Sequence, residues 1–152
     1  MVEEGKNAPG FSLPNSDGEI INLSDFKGKS VVIYFYPKDN TPGCTKQACG
    51  FRDAWEEYAL VNAIVIGISP DNQASHQKFR DKFDLPFHLL ADPDLQAIKA
   101  YGVWKEKNMY GKKYMGVERS TFIIDKEGIV AKIIRKVKVD GHVESVLSTL
   151  NE

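Results

Sequence analysis

The chain has 152 residues, 42% of them apolar and 27% charged, with a net charge of −1; this suffices for one domain with its own core and excludes a disordered or fibrous chain. No apolar run approaches 18 residues, which argues against a transmembrane helix. The opening M-V-E-E-G-K-N-A-P lacks the basic-then-apolar pattern of a signal peptide.

In chain order, F-S-L-P-N-S-D-G-E-I-I-N-L predicts a hairpin turning at 15–18, with Asp-Gly as the turn signal. Residues 23–26 predict a short capped helical turn. The run V-V-I-Y-F-Y at 31–36 predicts a strand buried on both faces. A loop containing Pro37, Thr41, Pro42 and Gly43 leads into a helix expected over 44–58. A second buried strand is expected at 63–69 and a helix at 72–83, closed off by Pro86. A short strand at 88–90 and a helix at 95–101 follow. Residues 102–118 read as a long irregular segment rich in aromatics. Two strands at 121–124 and 129–136, joined by Lys126-Glu127-Gly128, precede a last helix at 141–150. A β-α-β unit followed by β-β-α is the order of a thioredoxin-like sheet, an α/β fold. No linker or repeat interrupts it, so a single domain over 1–152 is expected.

Residues 99–138 carry 11 Lys/Arg against 4 Asp/Glu. A nucleic-acid contact and a solvated strand face both fit that segment. The overall pI near 6.3 favours the solvated face.

Both cysteines, Cys44 and Cys49, fall in Y-P-K-D-N-T-P-G-C-T-K-Q-A-C-G-F-R. The expected compartment is the cytoplasm, where two cysteines read as catalytic or redox-active rather than as a staple. Cys44 lies at the predicted helix start, where unpaired N–H groups and the helix dipole favour a thiolate. An inert buried cysteine is the plainer alternative. An ordinary thiol, with pKa about 8.5, is only ~3% ionised at pH 7. Full ionisation therefore gains about 30-fold, far short of ordinary enzymatic acceleration. For attack on a peroxide the rest must come from donors that hold the O–O bond in line and meet charge on the departing oxygen. The Thr41 hydroxyl, first-turn N–H groups and a nearby guanidinium are suitable. On an ideal helix Cys44 and Cys49 have Cα atoms about 8.7 Å apart. A disulfide usually needs about 7 Å or less, so bonding requires the first turns to unwind. A core role on the helix's buried face is the alternative for Cys49. Two cysteines make only half a tetrahedral metal site, and His76, His88 and His142 are scattered at non-ligand spacing. A Cys-His protease has no supporting flanking sequence.

The segment F-Y-P-K-D-N-T-P-G-C-T-K-Q-A-C resembles the peroxiredoxins, closely the Q-type branch also called bacterioferritin comigratory protein. Its Pro-x-x-x-Thr-x-x-Cys hallmark is met by Pro37, Thr41 and Cys44, and its second cysteine by Cys49. Y-G-V-W-K-E-K-N-M-Y-G-K-K-Y-M-G and R-S-T-F-I-I-D-K-E-G extend the resemblance over essentially the whole chain. It implies a thioredoxin-like fold: a central mixed sheet flanked by helices, with an N-terminal hairpin extension. It implies that Cys44 attacks a hydroperoxide and becomes a sulfenic acid, that Cys49 resolves it as an intramolecular disulfide, and that thioredoxin or a similar dithiol reduces the product. Arg119 would support thiolate and peroxide, Thr41 bind peroxide, Pro37 shield the site, and Gln47 orient the arginine. No metal, haem, flavin or other cofactor is implied, and no nucleic-acid or membrane partner; the branch includes monomers and dimers. The aromatic segment containing Tyr101, Trp104, Met109, Tyr110 and Tyr114 is either ordinary packing, the preferred reading, or an apolar wall for bulky alkyl peroxides. Two further readings of the chain are a thiol–disulfide oxidoreductase, although Cys-x-x-Cys is absent, and a non-enzymatic redox sensor.

Overall fold

Burial on both faces marks the strand at the centre of the sheet. In β3 (Ser30–Phe35) every residue after Ser30 is buried. Val31, Ile33 and Phe35 enter one core, and Val32, Tyr34 and the following Tyr36 enter another. Successive side chains point to opposite faces, so a continuous apolar run needs cover on both sides. The computed structural model describes residues 2–152. β4 (Ala63–Ser69) and β5 (His88–Ala91) run parallel to β3, one after the other. β8 (Ser120–Ile124) and β9 (Val130–Ile134) add antiparallel pairings. The five-stranded sheet thus has the order β5-β4-β3-β8-β9.

One face is covered by α1 (Pro42–Asp53), α2 (Trp55–Leu60), α3 (Gln73–Phe83) and α5 (His142–Leu150), through Cys44, Phe51, Tyr58, Phe79 and Val146 among others. The other is covered by α4 (Gln96–Ala100) and by the N-terminal hairpin of β1 (Ser12–Pro14) and β2 (Ile20–Asn22). This is the expected thioredoxin-like plan with its N-terminal hairpin, and the short turn appears as a 3₁₀ helix at Leu23–Phe26.

Two expectations are corrected. The helix expected over 44–58 starts two residues earlier and breaks at Ala54, whose N–H turns back to the Gly50 carbonyl. The segment expected to be irregular is instead a hairpin of β6 (Trp104–Met109) and β7 (Lys112–Val117). Its turn is Tyr110-Gly111, both at positive φ, which suits a two-residue hairpin turn. Most side chains in it are exposed, so no apolar alternation marked the strands. The aromatic segment divides: Tyr101 is core and donates to the Pro9 carbonyl at 2.7 Å, whereas Tyr110 is fully exposed and Tyr114 exposed.

Candidate active site

The run Thr41-Pro42-Gly43 shapes the start of α1. Thr41 occupies the N-cap position, and Pro42, which has no N–H to lose, takes the first helical position. Thr41 does not cap the helix with its side chain; its hydroxyl donates to the Lys38 carbonyl at 2.9 Å. The N–H groups of Gly43 and Cys44 consequently stay free of protein acceptors among the described residues.

Cys44, in this first turn, is buried at 1% exposure. Arg119, on the short link between β7 and β8, reaches it from 75 residues away. One guanidinium nitrogen, Nη2, donates to Cys44 Sγ at 3.3 Å. The other, Nη1, donates to Gln47 Oε1 at 2.6 Å. Gln47 is fully buried one turn beyond Cys44, so α1 presents sulfur and amide on one face at the spacing of the guanidinium fork. Gly43 makes room: a Cβ there would lie 3.2 Å from Arg119 Nη2. The Gln47 Nε2 amine is buried without a partner among the described residues.

Pro37, half-buried, and Thr41 belong to the loop that joins β3 to α1; neither donates to the sulfur. Cys49 is half-buried, further along the same unbroken helix, and both thiols are free. The geometry thus joins Cys44, Arg119 and Gln47 directly, leaves Thr41 and Pro37 in the loop that leads into α1, and places Cys49 five residues further along the helix.

Several neighbours escaped sequence reasoning. Lys107 of β6 is half-buried, and burial first, then the nearby Arg119 charge, lower its pKa. Below Cys44, Tyr34 stacks on Phe51 and Tyr36, with ring centroids at 4.9 and 5.4 Å. Burial, and then the proximity of Cys44 and Asp39, push its hydroxyl well above the ordinary value. His142, at the start of α5, meets Thr121 Oγ1 at 2.8 Å and lies edge-on to Phe51. Burial, then Arg119, pull its pKa down to about 4. His76, which sequence spacing left without partners, lies with Asp39 and Asp71 in a group whose ligand atoms are within 4.8 Å of one another. Both ring nitrogens of His76 are already engaged, Nδ1 with Asp39 and Nε2 with the Leu90 carbonyl, so the cluster is a hydrogen-bonded anchor. The only advance signal was a charged residue, Asp39, placed between Pro37 and Thr41.

A sequence model of the AhpC/TSA family matches residues 5–133. The chain belongs to this family of peroxiredoxins. It is 53% identical over 151 residues to peroxiredoxin Bcp of Bacillus subtilis, covering 99% of this chain and 96% of that protein. A mutant peroxiredoxin Q from Xylella fastidiosa superposes with a TM-score of 0.94 at 37% identity, covering 99% of this chain and 96% of that one. The bacterioferritin comigratory protein of Xanthomonas campestris, whose structures address alkyl peroxide reduction, superposes with a TM-score of 0.91 at 40% identity, with 98% of each chain covered. The peroxiredoxin resemblance read from the sequence is borne out, and so is its Q-type, comigratory-protein branch. No helix of this peroxiredoxin, among the described residues, is long and apolar enough to cross a membrane.

Proposed function

We propose that this peroxiredoxin reduces hydrogen peroxide and organic hydroperoxides through Cys44, with Cys49 as the resolving thiol. The observation that carries the reading is the Arg119 guanidinium donating to a sulfur in the first turn of α1. A thiolate there is met by a charge-assisted donor and by the positive end of the helix.

Cys44 Sγ attacks the distal oxygen of the peroxide. The S–O bond forms as the O–O bond breaks, and the departing hydroxide or alkoxide takes up a proton, balancing the one the Cys44 thiol lost on ionising, to leave as water or an alcohol. Arg119 and the free N–H groups of Gly43 and Cys44 meet the charge that develops on the oxygens. Thr41 has committed its proton to the Lys38 carbonyl, so its lone pairs are left to accept from a peroxide O–H. Pro37 screens the loop side from water, and Gln47 holds the guanidinium from behind.

The Cys49 thiol then attacks the Cys44 sulfenic sulfur, forms the disulfide and releases water. With both residues on one continuous helix, their Cα atoms are about 8.7 Å apart, so the first turns of α1 open for this step. Thioredoxin or a similar dithiol in the cytoplasm returns both cysteines to thiols. The cycle is completed within one chain, as one domain, and needs no second subunit, whether the protein is a monomer or a weak dimer.

The test is a stopped-flow and mass-spectrometric titration of reduced protein with hydrogen peroxide. Loss of two thiols and two mass units per equivalent, far faster than a free cysteine, is expected. Cys44→Ser abolishes turnover, and Cys49→Ser consumes one equivalent and stalls as the sulfenic acid. Full turnover by Cys44→Ser protein rules the mechanism out.

A further inference from the structure

The loop that carries Pro37 and Thr41 is held at its midpoint by a buried polar cluster that the peroxide chemistry itself does not use. Asp39 is 7% exposed and His76 is fully buried. The Asp39 carboxylate accepts from the Tyr36 hydroxyl at 2.6 Å and the Ser75 hydroxyl at 2.8 Å, and lies 2.7 Å from His76 Nδ1. Its main-chain N–H donates to Asp71 Oδ2 at 2.8 Å, and Ser69 steadies that same oxygen from the end of β4 at 2.7 Å. His76 Nε2 must be the donor to the Leu90 carbonyl, 2.9 Å away on β5, because a carbonyl only accepts. One proton therefore sits between Nδ1 and the carboxylate. A buried carboxylate is costly without such partners, and here it has them on every side.

We propose that Asp39 and His76 are positioning residues for the peroxide step, locking the loop between Pro37 and Thr41 against α3 and β5; this rests on the peroxidase reading above. The coupling runs through the backbone. Lys38, adjacent to Asp39, supplies the carbonyl that accepts the Thr41 hydroxyl proton. Asn40, on the other side, is in the left-handed region at φ 59°, so the chain turns sharply just before Thr41. Fixing Asp39 fixes the Lys38 carbonyl, and that carbonyl decides which way the Thr41 lone pairs face. Cys44 is held separately, by α1 and Arg119. Loss of the anchor accordingly disturbs peroxide alignment more than sulfur reactivity.

Each variant is measured in two reactions: oxidation by hydrogen peroxide, and peptide-resolved alkylation of Cys44 by iodoacetamide, which needs the thiolate but no aligned O–O bond. His76→Ala and Asp39→Ala are expected to slow oxidation by ~10- to 100-fold, the scale of a reacting group misplaced by about an ångström. Alkylation changes less than ~3-fold by the same reasoning. Asp39→Asn can donate from its amide to Nδ1 and still accept from Tyr36, so it recovers the oxidation rate to within ~3-fold. Should the alanine variants lose their circular dichroism, Tyr36→Phe and Ser75→Ala, each removing one donor, are expected to slow oxidation alone. Unchanged oxidation in folded variants, or equal loss in both reactions, overturns the inference while leaving the peroxidase reading intact. Wild-type protein reacting no faster than free cysteine overturns both.

Discussion

The two halves of α1 are held by different forces. The first, from Pro42 to Ala48, buries only the small Cys44 and Ala48 side chains in the core and adds polar contacts made by single side chains. Arg119 bridges Cys44 and Gln47, no side chain caps the helix, and Lys46 pairs with Asp140 on the open surface. The second half is held by burial. Phe51 is fully buried, with ring centroids at 4.9 Å to Tyr34, 5.6 Å to Tyr58, 6.1 Å to His142 and 6.4 Å to Phe87. Gly50 lies so close to α5 that a Cβ there would meet Val143 at 2.9 Å. In the cycle proposed above, oxidation of Cys44 changes the group that Arg119 binds. On that proposal α1 combines a redox-sensitive start with an end anchored by Phe51, and opening for the disulfide is expected at the start.

That contrast is broken most severely by Phe51→Ala. Removing this ring should cost ~3–5 kcal/mol of stability, read from urea unfolding, because a fully buried aromatic leaves a cavity. Arg119→Ala acts on the other half. It should slow oxidation of Cys44 by hydrogen peroxide by ~10²-fold in stopped flow while moving the urea midpoint little, as loss of a charge-stabilising donor does. An unchanged rate removes Arg119 from the site.

His142 offers a pH handle on the fixed half. Its folded pKa, about 4, lies below the ordinary 6.5, so the neutral ring is favoured in the fold. Its contribution is fully present above about pH 6.5 and is lost as the pH falls from there to about 4. At pH 5 the loss should be ~2 kcal/mol. Comparing urea stability at pH 7 and pH 5, His142→Gln should narrow the difference by that amount; an equal difference in both proteins removes the histidine from the account. The smallest effect belongs to Lys46→Ala. Its bridge to Asp140 joins two exposed side chains, so unfolding should scarcely change, and less so in high salt.

The sequence by itself determined the strands whose side chains are almost all buried, since apolar runs such as residues 31–36 and 63–69 escape water only with cover on both faces. It placed the start of α1 only to within two residues, because Thr-Pro-Gly reads as loop although Thr41 takes the N-cap and Pro42 the first turn. Cys44 was legible because it falls in that first turn on either reading. The β6–β7 hairpin was not, because most of its side chains face solvent and show no alternating pattern; its Tyr110-Gly111 turn was the one local mark among the described residues. Nor did local pattern place Arg119 beside Cys44: the pairing spans 75 residues, and the sequence named Arg119 only through the family resemblance. The Asp39–His76 anchor was not legible either, since an acidic residue between Pro37 and Thr41 names no partner. Its members come from the loop after β3 and from α3, and they meet only because parallel strands β3 and β4 deliver those segments to the same end of the sheet. Local chemistry fixes what a segment prefers to be; which polar groups become partners is decided by the sheet that brings distant ends together.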